Sequence, residues 1–365
     1  MQQWIFARFK PKSVNKNPLF EPVSIIVCVR NEISHVHDRI ENILSMQYPS
    51  SLLELIIVSD GSVDGTNEAV VGYGDKRVKL ITLVSPSGKA AALNAGVEAA
   101  SHELLIFGDA RQTFNLDVVM RLVSNFNDPQ VGAVSGRLVI KPIRSDGAAV
   151  GIGSAYWDYE VRLRNNEAAT DSVIGVTGAI YALRKACFSP LPHGTILDDL
   201  LIPMRAVMQG YRVAYDAEAI AIDTRPADTA GELSRKIRTL YGNLQLLRLA
   251  PELFLPWKNR LWLRFISHKI LRLFLPAMLA ACLIFSLLAG GLLTAFGFLQ
   301  ILCWIGAWTA FKTKNVTPPG RALSAFLLLN LAVVQAWMRF ISGDEDVWQV
   351  ASSHLGSIRQ NGKMQ

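Results

Sequence analysis

At 365 residues, the chain is too long for one small domain and long enough for two compact units. Its net charge of +7 is modest and much of it flanks the apolar segments, with no basic stripe of the kind that binds nucleic acid. The four cysteines (Cys28, Cys187, Cys282, Cys303) have neither metal spacing nor a disulfide pattern, and they read as apolar filling.

The opening stretch, MQQWIFARFK, is basic but lacks the apolar centre and small-residue cleavage site of a signal peptide, so the polar part is expected in the cytoplasm. After an N-terminal segment (1–22), short β-branched runs alternate with helical patterns, which predicts a parallel sheet flanked by helices. The runs at 23–30, 53–62, 78–84, 103–110 and 131–140 are expected strands. Glu32 to Met46 and the Ala-rich 88–100 are expected helices. The aromatic and charged stretch SAYWDYEVRLRNN (154–166) reads as a helix packed on the sheet. In such sheets ligands bind beyond the carboxyl ends of the strands, at the switch point of strand order. Arg30-Asn31-Glu32, Asp60-Gly61-Ser62 and Asp109-Ala110-Arg111 all fall at those ends, which suggests one site.

LFLPWKNRLWLRF (253–265) interleaves Trp257, Trp262 and Phe265 with Lys258, Arg260 and Arg264, a composition suited to an interfacial amphipathic helix over 251–270. From Leu273 to Phe311 there are 39 residues without a charged side chain. A spanning helix takes roughly 20 apolar residues, so this run fits two, turning at Gly290-Gly291. Ala322 to Met338 adds 17 uncharged residues containing Asn330 and Gln335, a third span or a re-entrant one. A transmembrane region over 271–341, with two to three helices and a tail at 342–365, makes this an integral membrane protein. Arg260, Arg264, Lys269 and Arg272 before the first span, and Lys312, Lys314 and Arg321 after the second, place these flanks and the polar domain inside. Their charge also suits anionic membrane lipids as partners. A tail carrying Asp344, Glu345 and Asp346 would then end outside if the third span crosses.

Three stretches carry chemistry. In SDGSVDGT, Asp60 either caps a local turn or accepts hydrogen bonds from a uracil-like base. In SGKAAALNAG, Lys89 at a helix start suits a nucleotide diphosphate. In FGDARQTF, Asp109 offers one carboxylate where a metal site would show two, and Arg111 stands in the second place. Mg²⁺ uses one or two carboxylates, with phosphates and waters completing its shell, so Asp109 alone suffices. Arg111 cannot ligate a cation, but it can neutralise a phosphate or pair with a nearby acid.

Taken in order, VSIIVCVRNE, IIVSDGSVDGT, GKAAALNAG and LLIFGDA resemble the inverting, family 2 glycosyltransferases with a GT-A, Rossmann-like nucleotide-sugar domain. GVTGAIYALRK (175–185) is similar to that family's acceptor-side loop, ILDDLLIPMRAVMQGYRV (196–213) to its acid motif, and RKIRTLYGNLQ (235–245) to its basic motif. The resemblance implies an α/β GT-A domain over 23–250, followed by the membrane helices.

Carried over by position, the resemblance makes Asp60 the base reader and Asp109 the ligand of Mg²⁺ or Mn²⁺ on the donor diphosphate. Asp199 becomes the general base and Asp198 the stand-in for its glutamate neighbour. Arg235 and Arg238 match the two basic positions of the last motif, while Thr239 stands where its tryptophan would be. The expected donor side is Arg30, Glu32, Asp60, Lys89, Asp109, Arg111, Arg235 and Arg238; the acceptor side is Gly178 and Asp198.

The implied activity moves a sugar from a nucleotide-sugar donor, in its simplest form a UDP-sugar, to a lipid-linked or growing glycan acceptor. The location would be the bacterial inner membrane with the catalytic domain cytoplasmic. Two or three spans are few for a polymer channel, which favours single addition or partner subunits of a polysaccharide machine. Arg111 and the missing tryptophan motivate an alternative, an inactive nucleotide-sugar sensor or scaffold.

Overall fold

A computed structural model describes residues 12–142, 149–225, 229–313 and 317–343. The first half of the N-terminal segment and the tail acids Asp344, Glu345 and Asp346 lie outside the described residues, as does Lys314. The chain divides into two compact units, Met1–Ala227 with Glu252–Trp262, and Asp228–Pro251 with Leu263–Gln365.

The first unit is built on an eight-stranded sheet. In chain order it runs β1 (Val23–Val29), α1 (Ile33–Leu44), β2 (Leu53–Asp60), α2 (Thr66–Gly72), β3 (Val78–Leu83), α3 (Lys89–Ala99) and β4 (Leu104–Asp109). It continues through β5 (Thr113–Phe114), α4 (Val118–Ser124), β6 (Val131–Pro142), α5 (Ala149–Thr170), β7 (Ile180–Arg184), α6 (Asp198–Met208) and β8 (Arg212–Arg225). The strand order is β3-β2-β1-β4-β7-β6-β8-β5. β3, β2, β1 and β4 are mutually parallel; β1, β2 and β4, written as runs of Val, Ile and Leu, are buried almost throughout, while β3 at the edge is only partly covered.

Beyond β4 the all-parallel expectation fails. β7 runs antiparallel to both β4 and β6, so the sheet is mixed. The segment read as a loop at 175–185 turns through an Ile180 N–H to Thr177 carbonyl bond of 2.9 Å. It then enters the core as a strand with Ile180, Tyr181, Ala182 and Leu183 buried. Chain order reverses between β1 and β4, which opens the switch-point crevice at their carboxyl ends. The helix read at 154–166 lies within α5, and side chains before Glu160 lie outside the described residues.

In the second unit, α7 (Thr229–Leu249) groups with α8 (Leu275–Ala289), α9 (Gly291–Lys312) and α10 (Pro318–Ser342). The sequence division at 250 puts α7 in the catalytic domain, whereas packing puts it here. Ile237, Leu240, Tyr241 and Leu244 form a helical stripe that is buried. Arg248 stacks 4.2 Å over Phe340 of α10. Three helical stretches, Trp262–Ala289, Gly291–Lys312 and Pro318–Ser342, are long and apolar enough to cross a membrane.

The amphipathic helix expected over 251–270 is not continuous. A short turn at Pro251–Phe254 ends before Pro256, whose ring and missing N–H break the helix. Asn259, fully buried, then ties the bend by donating to the Leu253 carbonyl at 2.8 Å and accepting from Leu261 N at 3.0 Å. From Trp262 onward the chain already belongs to the first apolar stretch. Arg260 is a strut of the first unit, pairing with Asp171 at 3.1 Å and donating to the Val207 carbonyl at 2.6 Å.

Candidate active site

The carboxyl ends of β1 and β2 are laced together by polar turns. Asn31 adopts a left-handed backbone (φ 54°), its N–H donating to Ser62 Oγ at 3.1 Å and its Oδ1 accepting from Val63 N at 3.0 Å. Asp64 caps α1 from another segment, accepting from Ile33 N at 3.1 Å, while Glu32 N donates to Thr66 Oγ1 at 3.0 Å. The other Asp64 oxygen accepts from Thr66 N at 3.1 Å, so Asp64 ties the start of α2 to that of α1. A helix cap in SDGSVDGT was open to sequence reading; the reach of its second aspartate back to α1 was not. Arg30 stands exposed at the end of β1.

Asp60 is nearly buried, and its two oxygens accept from Ser87 N (2.6 Å) and Gly88 N (3.0 Å). It therefore anchors the turn that launches α3, and with it Lys89. Lys89 Nζ lies 3.3 Å from Asp109 Oδ1 and 3.3 Å from Asp198 Oδ2, bridging β4 and α6. Burial opposes the ammonium's charge, but Asp109 and then Asp198 outweigh it and hold the lysine pKa well above its ordinary value. The contact with Asp198 is an ion pair without hydrogen-bond alignment: Asp198 Oδ2 is buried and makes no hydrogen bond among the described residues.

Asp109 occupies the last position of β4, beside Cys28 of β1, with 43 % of its side chain exposed. The turn that carries it rests on α1. Arg39, buried, stacks 3.7 Å over Phe114 and donates to the Gln112 carbonyl at 2.9 Å. Asn42 exchanges hydrogen bonds with Phe114 N (2.9 Å) and the Phe114 carbonyl (3.0 Å). A Cβ on Gly108 would come within 2.5 Å of Arg39 Nη2 and 2.6 Å of Phe114, so only glycine fits there. Burial lowers the Arg39 pKa to about 9 against the pull of Asp109.

Arg111 is taken by an acid. Its Nε lies 2.9 and 3.1 Å from the two oxygens of Glu32, and its Nη2 lies 2.8 Å from Oε1. His35 Nδ1 shares the same carboxylate at 3.0 Å. Of the two roles open to Arg111 in the sequence, the acid pairing is the one formed.

Asp198 and Asp199 open α6, where the helix dipole favours negative charge. The helix contains Pro203, which has no N–H to give the Asp199 carbonyl four residues back. Val176 N supplies that bond at 2.9 Å, docking the 175–178 turn on the first turn of α6. Gly178 then lies against Asp199: a Cβ there would sit 3.5 Å from Asp199 Oδ2. Gly178, Asp198, Asp199, Lys89 and Asp109 are thus brought together. Arg235 and Arg238 stand on α7, in the second unit.

Two further groups line the same recess, whose walls include Lys89, Gly108, Gly178 and Asp198. Tyr181 stacks on Phe107 at 4.6 Å, and its hydroxyl makes no hydrogen bond among the described residues; burial and then Asp198 push its pKa well up. Cys28 is pushed to about 12 by burial. Neither carried a sequence signal, since each reads as one more apolar strand residue.

A carboxylate at the end of β4 facing a cation, with two more acids at a helix N-terminus, fits a site for a divalent ion and a phosphorylated ligand. The ammonium of Lys89 holds a place beside Asp109 that suits positive charge, and the donor set is all oxygen, as Mg²⁺ or Mn²⁺ takes. The profile of Glycosyl transferase family 2 matches residues 24–186, and that of Glycosyl transferase family group 2 matches residues 108–313. The chain belongs to the family 2 group of glycosyltransferases and is an enzyme of that type.

Among curated proteins it is 24 % identical over 254 residues to the poly-beta-1,6-N-acetyl-D-glucosamine synthase of Staphylococcus aureus (strain COL), covering 66 % of this chain and 60 % of the relative. The synthase of the same name from Staphylococcus epidermidis is 24 % identical over 234 residues, covering 62 % of this chain and 56 % of the relative. The chain thus spans less than two thirds of the length of the curated relatives it matches. Among solved structures, the mannosyltransferase PcManGT from Pyrobaculum calidifontis, in complex with GDP-Man and Mn²⁺, superposes with a TM-score of 0.69 at 22 % identity. That match covers 94 % of each chain and shows the GT-A fold.

Proposed function

We propose that the protein is a membrane-anchored, inverting glycosyltransferase that moves a sugar from a nucleotide-sugar to a lipid-linked or growing-polysaccharide acceptor in cell-surface glycan synthesis. The donor is taken as a UDP-sugar. The observation that carries the reading is the convergence of Asp109, Lys89, Asp198 and Asp199 at the switch point, with Gly178 beside Asp199. The relatives, named for an N-acetylglucosamine polymer, support the polysaccharide acceptor, and PcManGT, solved with Mn²⁺, supports a divalent ion.

Asp199 takes the proton of the acceptor hydroxyl as that oxygen bonds to the anomeric carbon from the face opposite the leaving group. The bond from that carbon to the diphosphate oxygen breaks, its electron pair leaving with the nucleotide diphosphate. Asp109 would hold Mg²⁺ or Mn²⁺, which would supply positive charge to the leaving diphosphate. Lys89 adds positive charge on the donor side. Asp60 fixes the 87–88 turn and reads the base with the lone pairs that turn leaves open.

The apolar helices anchor the enzyme in a bacterial inner membrane, and the cations flanking them keep the catalytic unit cytoplasmic. Polymer assembly would draw on partner subunits. The alternative, an inactive nucleotide-sugar sensor or scaffold, is motivated by Arg111 and by Thr239 in the place of the tryptophan, and it predicts donor binding without turnover.

The test is release of nucleotide diphosphate from a panel of UDP- and GDP-sugars by protein in lipid, with Mg²⁺, Mn²⁺ or chelator. Metal-dependent release that vanishes in Asp199→Asn supports the reading. Donor binding without release, even with membrane lipid extract as acceptor, defeats it.

A further inference from the structure

The sequence places Lys89 with the donor and Asp198 with the acceptor. The structure joins them: one ammonium sits 3.3 Å from an oxygen of each of two acids. The two acids differ in kind. Asp109 is 43 % exposed and can exchange its partner for water or an ion. The Asp198 side chain is 7 % exposed, and its facing oxygen makes no hydrogen bond among the described residues, so its charge is met chiefly by Lys89.

We propose that Lys89 is a resident counter-cation shared by Asp109 and Asp198, and that a divalent ion takes Asp109 by driving the ammonium across to Asp198. The inference rests on Asp109 as the metal carboxylate. A divalent ion on that carboxylate would repel an ammonium a few ångström away. The lysine's four-carbon stem and three rotatable donors let the charge swing without moving the backbone. Asp198 is its landing point, a buried oxygen with acceptor capacity to spare.

Two consequences follow. Asp198 belongs to the cation cluster rather than the acceptor side. Metal arrival also changes the charge pairing of the residue next to Asp199 in the first turn of α6, so ion binding and the acid pair are coupled, each influencing the other.

The test is Mn²⁺ binding, followed by the loss of the free-ion electron paramagnetic resonance signal, with the full chain in lipid nanodiscs and no nucleotide. Lys89→Met removes the competitor and should bind Mn²⁺ about tenfold more tightly than the parent, a change of about 1.4 kcal/mol. Asp198→Asn removes the landing point and should bind it about threefold more weakly. A Lys89→Met protein that binds Mn²⁺ equally or more weakly overturns the shared counter-cation. Should that variant not fold, an unchanged affinity in Asp198→Asn overturns it instead. Asp109→Asn is the separate control: Mn²⁺ affinity untouched by that change would remove the metal assignment itself, whereas loss of binding there with no tightening in Lys89→Met defeats only the lysine's role.

Discussion

The two ends of the same sheet use the same ingredients to opposite effect. At the amino end, Glu54 of β2 is nearly buried and takes hydrogen bonds from Ser24 Oγ (2.6 Å), Ser101 N (3.0 Å), Ser101 Oγ (3.0 Å) and the Lys79 ammonium. Burial alone would raise its pKa, but Lys79, Ser24 and Ser101 hold it at about 2. At the carboxyl end, Lys89 is divided between two acids, and Asp198 Oδ2, Tyr181 Oη and two nitrogens of Arg39 make no hydrogen bond among the described residues. A buried acid and a lysine are common to both ends; saturation is not. A satisfied network locks the strands in place. An unsatisfied one is tolerated where ligands complete it, which marks the carboxyl end as the working end.

The sharpest break of this comparison is Asp199→Asn. Glycosyl transfer should fall by roughly 10² to 10⁴, the range for loss of a general base, with the melting temperature and donor KM unchanged. Activity and a thermal melt on one preparation decide it, and a parallel fall in stability would count against the division of labour between the two ends.

Glu54→Ala is the converse and should cost about 3 kcal/mol of stability while the remaining folded protein keeps its kcat and KM. Glu54 also sets a pH dependence. Its folded pKa lies below the ordinary glutamate value of about 4.3, so its contribution is present above that pH and is lost as pH falls towards about 2. Unfolding free energy measured across that acid window should decline less steeply in Glu54→Gln than in the parent.

Gly108→Ala pushes a methyl into Arg39 and Phe114 and should cost about 2 kcal/mol. It should also raise the Mn²⁺ requirement for turnover, because Asp109 is displaced with the turn. The smallest effect belongs to Arg111→Ala. Half exposed and paired with Glu32, Arg111 should change the metal dependence by less than about threefold. A larger change would return it to the ion's immediate surroundings.

How far the sequence foretold these regions follows from the range of the interactions. The strands β1, β2 and β4 were legible because buried parallel strands are written as largely apolar runs. Their polar ends followed from the same runs, so Asp60 and Asp109 could be placed at one edge. The reversal of β7 was not legible, because its short apolar run fits either strand direction. Gly108 carried no signal within the expected strand 103–110, because the Arg39 and Phe114 side chains that crowd it come from elsewhere in the chain. Glu54 gave no signal at all, since its partners come from three other segments. The continuous helix at 251–270 failed to Pro256 and Asn259, whose local effects overrode the amphipathic composition.

Pro203 has a consequence for how this enzyme can change. By leaving the Asp199 carbonyl unclaimed inside its helix, it turns a main-chain oxygen into a socket, and Val176 plugs into it through its own main-chain N–H. The join uses no side-chain polar group on either side. Substitutions at Val176 that keep its backbone and fill its buried space can therefore be tried by selection without uncoupling the turn from the helix. Positions around Asp199, the proposed base, are held by a fastening that sequence drift cannot easily erase, and new acceptor preferences can be explored on a fixed frame.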